Sequence, residues 1–190
     1  LLVNYSLGVK PGEKLMIAMG ELDSYPLVRG AYEAAVKAGG YPQVQFLSES
    51  LRHQLLKHGC SDQLSRVPDL EAYGMEWADC YLGLRGAYNL HEHDDIPADR
   101  LSLNQKAMGR VSSLRWQKTR WCLVRVPNAA LAQQAQSDEE SLTEMFFDAC
   151  LRDWEREGER WRQWAARLDG ARRVRVTGRD TDLAFSVEGR

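Results

Sequence analysis

The sequence predicts an α/β fold: a mostly parallel sheet flanked by helices in three layers (αβα), ending in a β-hairpin that would start the next domain. Three observations predict it. The stretch Val9 to Leu47 reads strand, helix, strand with short joints, a βαβ unit whose strands lie parallel with a right-handed crossover. Two later apolar runs, 78–84 and 120–126, read as further strands separated by helical segments, the pattern of a sheet covered on both faces. Near Gly170 the pattern changes to two alternating strands joined by a tight turn.

In chain order, Leu1 to Leu7 reads as the last turns of a helix, and Gly8 to Gly12 as the turn into the first strand, Leu15 to Met19. A polar break at Gly20 to Pro26 follows. Then Val28, Ala31, Tyr32, Ala35 and Val36 recur at the helical period, one apolar face. Gly39 and Gly40 stop this helix, because glycine takes a left-handed C-cap without steric cost. Val44 to Leu47 is the second strand. Ser50 to Gly59 reads as a short helix with Ser50 near its N-cap, and 69–77 as another. Strand three is 78–84, mostly apolar and so buried on both faces.

A helix to about Arg115 carries Leu101, Ala107, Met108, Val111 and Leu114 on one side; strand 120–126 follows and Pro127 ends it. A helix over 129–136 precedes one capped by Ser137 with Glu140 three residues on, a capping box. Trp154, Trp161, Trp164, Ala165 and Leu168 lie at helical spacing over 153–168, read as a packing face. Val174 to Thr177 and Leu183 to Val187 form the hairpin. The expected division is an α/β domain over 1–169 and a hairpin over 170–190 that opens a further domain.

Bulk properties exclude several classes. Apolar residues make up 44% and charged residues 27% of 190, an ordinary globular balance. A net charge of −2 offers no electrostatic reason to expect nucleic acid or an anionic membrane as partner. No apolar run approaches the ~20 residues of a membrane span, and the first residues lack the basic and small-residue pattern of a signal peptide. Cys60, Cys80, Cys122 and Cys150 are far apart and form no C-x-x-C pair, so the reading is a reduced, cytoplasmic protein. The chain starts without Met inside an apolar stretch and stops just after a strand-like run. Both ends are therefore expected to be cut from a longer protein.

Candidate site residues stand at the carboxyl ends of strands, where ligands bind in open α/β sheets. Glu21, Asp23 and Ser24 follow strand one; for Asp23 and Ser24 the simpler account is an N-cap on the helix opened by Pro26. Arg85 and Asn89 follow strand three as candidate ligand or interface contacts. His91-x-His93, with Glu92, Asp94 and Asp95 beside it, could bind zinc if a third ligand arrived from elsewhere. A solvated polar loop is the preferred reading, so His91 and His93 are disfavoured as metal ligands. His53 and His58 are five apart, off a shared helical face, and are read as solvated. No G-x-G-x-x-G or G-x-x-x-x-G-K-[ST] phosphate cradle occurs.

Three stretches, in order and spanning nearly the whole chain, resemble a known family. The first is Asn4-Tyr5-Ser6-Leu7-Gly8-Val9-Lys10-Pro11-Gly12-Glu13 with Leu27-Val28-Arg29 and Ala38-Gly39-Gly40. The second is Thr119-Arg120-Trp121 with Pro127 to Gln133. The third is Val174 to Leu183 with Val187 to Arg190. Together they resemble the amino-terminal part of the aminopeptidase T / aminopeptidase S family of metallo-aminopeptidases. The resemblance implies a cytoplasmic homodimeric exopeptidase that removes N-terminal residues from peptides with two divalent metal ions, zinc, cobalt or similar. It implies metals that polarise the scissile carbonyl and activate water, held by ligands in a carboxy-terminal domain. None of those ligands maps onto a residue here. The expectation is a non-catalytic domain, without metal of its own, that walls the active-site cavity and supports dimerisation. The alternative is a stand-alone α/β module that binds a small ligand or a partner protein without catalysis.

Overall fold

The computed structural model describes residues 1–189; Arg190, the last residue of the third resembling stretch, lies outside them. Four strands form one parallel sheet: β1 (Lys14–Gly20), β2 (Tyr41–Leu47), β3 (Cys80–Arg85) and β4 (Arg120–Arg125), in the order β2-β1-β3-β4. Among the described residues eight α-helices connect and follow them: α1 (Tyr25–Lys37), α2 (Glu49–His58), α3 (Ser61–Ser65), α4 (Asp69–Trp77), α5 (Ala98–Lys118), α6 (Ala129–Gln134), α7 (Glu139–Cys150) and α8 (Trp154–Asp169). An antiparallel hairpin, β5 (Arg173–Gly178) and β6 (Thr181–Ser186), closes the chain, with Gly178 paired to Thr181 across a two-residue turn. The expected α/β class, parallel sheet and hairpin are all present.

The strand pleat sends alternate side chains to opposite faces. From β1 and β3, Leu15, Ile17, Cys80, Leu82 and Leu84 meet Val28, Ala31 and Ala35 of α1 and Val3, Leu7 and Val9 of the leading turn. On the other face Ala18 and Tyr81 pack with Met75 of α4 and Val111 of α5. A third cluster joins Leu56, Leu64 and Ile96. Helices on both faces of one sheet give the three layers. Pro42 sits in β2, an edge strand, where a missing ladder donor costs little.

Several local expectations are corrected. Ser24 stands at the N-cap position of α1, but its hydroxyl donates to the Glu21 carbonyl at 2.8 Å and caps nothing. The cap of α7 is Asp138, whose Oδ1 accepts the Ser141 N–H at 2.8 Å, one residue later than Ser137. Tyr32 and Val36 of α1 are exposed although they share the apolar spacing, because the side of α1 turned to the core carries Val28, Ala31 and Ala35, with Leu27, Ala34 and Ala38 at its margin. Trp161, Trp164 and Leu168 of α8 are likewise exposed rather than packed; Trp154 meets Trp161 edge to face.

By contacts the chain divides into two compact units, Leu1–Phe146 and Phe147 onward, with the break inside α7. The boundary anticipated near Gly170 falls within the second unit, which holds α8 together with the hairpin. Among the described residues no helix is long and apolar enough to cross a membrane.

Candidate functional site

A cavity of about 640 Å³ opens in the first unit, at the carboxyl ends of β1, β3 and β4 on the α4/α5 face. The strand order reverses between β1 and β3, and this switch point is where open α/β sheets leave a crevice for ligands. The space exists because the pleat presents small residues there: Ala18, Gly20 and Gly83 line it. A Cβ on Gly83 would stand 2.5 Å from Leu123 Cδ2, and one on Gly20 would stand 2.7 Å from the Leu84 carbonyl oxygen. β1 and β3 thus end too close together for any side chain at Gly20.

Glu21, directly after β1, has an unusual backbone. It is buried at 5% exposure with φ 61° and ψ 163°, a region essentially reserved for glycine and costing of order 1–3 kcal/mol. Its Oε1 accepts the Glu49 backbone N–H at 2.6 Å. Ser48, at the N-cap of α2, makes no side-chain cap bond, so a carboxylate from beyond β1 supplies the acceptor instead.

From there a polar chain runs around the rim. Glu49 Oε2 lies 2.8 Å from His93 Nε2 and 3.5 Å from Arg52 Nη1. Arg52 Nε donates to Asn104 Oδ1 at 3.1 Å, and Asn104 is buried on the inner side of α5. The His93 ring stacks on His53 with centroids 6.0 Å apart, and His53 Nε2 pairs with Asp95 at 2.7 Å. His53, read from the sequence as solvated, has a side chain only 12% exposed. Asp23 stands outside the cavity wall, exchanging hydrogen bonds with the Tyr88 hydroxyl. Asn89 lines the cavity; its Oδ1 accepts the His91 N–H and its Nδ2 donates to Glu92.

Deeper in, burial pushes the Glu71 carboxyl above its ordinary value against the opposing pull of Arg52. Burial also raises the Tyr81 phenol, opposed by the Arg115 guanidinium beside it. That guanidinium lies over two rings, 5.3 Å from the Trp121 centroid and 5.7 Å from Tyr81. Arg115 Nε and His93 Nδ1 are both shielded and lack a hydrogen-bond partner.

Of the residues picked from the sequence, Glu21, Arg85, Asn89 and His93 meet on this wall; Asp23 and His91 do not. Sequence reading missed Arg52, Glu71, Arg115 and Arg125. A signal existed for two of them: Arg115 continues the buried stripe of Asn104, Ala107 and Val111, and Glu71 precedes buried Met75 by one turn. A charge on an inward stripe marks a wall rather than a core.

The donors here do not suit a divalent metal. His91 Nδ1 faces Asp94, His93 Nε2 faces Glu49 and His53 Nε2 faces Asp95, three separate pairs with no common focus. Among the described residues no three His, Cys, Asp or Glu side chains converge as a metal requires.

Comparison with known proteins adds the lineage. The family model for the thermophilic metalloproteases (M29) matches residues 1–190. No curated protein matches the chain. Among solved structures, wild-type AmpT from Thermus thermophilus is similar with a TM-score of 0.75 at 18% identity, over 98% of this chain and 51% of that one. The chain thus spans about half the length of that structure, and at this identity the likeness concerns the fold.

Proposed function

We propose, since this chain belongs to the thermophilic metalloprotease (M29) family, that it forms the amino-terminal, non-catalytic half of a metal-dependent aminopeptidase. The whole protein removes N-terminal residues from peptides, works in the cytoplasm as a homodimer, and carries two divalent ions. The supporting observation is one of coverage: the family match runs the length of this chain, yet the chain corresponds to 51% of the similar solved structure. The other half supplies the metal ligands, consistent with the divided His–carboxylate pairs found here. The role of this half is to wall the substrate cavity through the crevice at the β1/β3 switch point and to support dimerisation.

The deciding experiment is metal analysis with an aminopeptidase assay on the 190-residue chain beside the protein extended through the following reading frame, with light scattering on both. The expected result is metal and cleavage in the longer protein alone, as a dimer. An inert longer protein would favour the non-catalytic binding module. Metal-dependent cleavage by the 190-residue chain would overturn the division of labour.

A further inference from the structure

We infer that the cavity at the β1/β3 switch point captures the free carboxylate of a short peptide, an assignment that rests on the peptidase reading above for its choice of ligand. Among the described residues, three guanidinium groups at this cavity have no carboxylate partner. The wall's carboxylates already have partners within the chain: Glu49 pairs with His93 and Arg52 and Asp94 with His91, while Glu21 accepts the Glu49 N–H and Glu92 accepts from the Asn89 amide. Glu71 also lines the wall, with its carboxyl raised above the ordinary value by burial and lowered again by nearby Arg52. Arg85, Arg115 and Arg125 line the same cavity, and among the described residues none of them forms an ion pair with a carboxylate. Three guanidinium forks around one crevice suit a planar oxyanion.

Two features favour a peptide carboxylate over a phosphate. The helix N-terminus that could cradle a phosphate, that of α2, is already occupied by the Glu21 carboxylate. The wall also carries Met75, Met108, Leu101 and Val111, apolar surface suited to side chains. A volume of about 640 Å³ lies in the range of small-molecule sites.

The test is a nuclear magnetic resonance titration of the 190-residue chain with trialanine, trialanine amide and inorganic phosphate, read at the Trp121 indole N–H beneath Arg115. Trialanine should bind saturably, and its amide about ten- to a hundredfold more weakly, the scale of one charge-assisted pair. Arg115→Met should weaken trialanine by the same factor and leave the amide unchanged. Arg125→Gln, at an exposed position, repeats the test where the fold is not at risk. Equal affinity for acid and amide, or phosphate displacing trialanine from the indole signal, overturns the assignment. That failure is separable from failure of the peptidase reading, which shows as an extended protein that does not cleave.

Discussion

Glu21 and Glu49 are joined across twenty-eight residues: the side chain directly after β1 accepts the first backbone N–H of α2 at 2.6 Å. The bond holds the β2–α2 connection against the switch point. It also keeps Glu21 in a conformation that a side chain rarely adopts.

Substitution there should therefore reverse the usual order of alanine and glycine. Glu21→Ala loses the acceptor for a part-buried N–H and keeps the strained backbone, costing about 1–3 kcal/mol. Glu21→Gly loses the same bond but relaxes the backbone, so it should be the less damaging change. Urea unfolding of both variants measures this; a glycine variant no more stable than the alanine one would remove the strain argument.

Two glutamates should show opposite pH signatures. The Arg120 hydrogen bond holds the Glu13 carboxyl below its ordinary 4.5, so the stability it adds is present above 4.5 and is lost as pH falls through the lower folded value. Glu13→Gln should thus melt below wild type at neutral pH, with the gap closing in acid. Burial holds Glu71 above 4.5, so folding is penalised as pH rises through 4.5 toward the raised folded value. Glu71→Gln should melt above wild type at neutral pH and match it below 4.5. Melting temperatures over a pH series decide both, and gaps of the same sign would contradict the assignments.

Thiol reactivity should rank by burial. Cys60 is exposed, whereas Cys80 is fully buried, and that burial pushes its thiol up to about 11. A disulfide exchange reagent should modify Cys60 in the native protein and Cys80 only on unfolding. Modification of Cys80 at the rate of Cys60 would mean that the β1/β3 core opens readily.

The sequence by itself determined the sheet. Apolar runs at the strand period and an apolar stripe at the helical period are local patterns, and burial of Leu15, Ile17, Val28, Ala31, Ala35 and Leu82 follows from them. It also determined where a site could lie, since strand ends are legible and Glu21, Arg85 and Asn89 stand at them. Only the tertiary structure decided which of those residues meet. The strand order brings β3 beside β1, so Arg85, Gly83 and Glu21 line one cavity, a juxtaposition no spacing encodes. Capping was misread for a related reason. The sequence places Ser50 near the N-cap of α2, but that position is held by Ser48, which caps nothing; the α2 N–H finds Glu21 from beyond β1 instead, and the Ser24 hydroxyl turns to a nearby carbonyl. Periodicity is a property of neighbours in the chain, whereas hydrogen-bond partners and unpaired arginines are properties of neighbours in space.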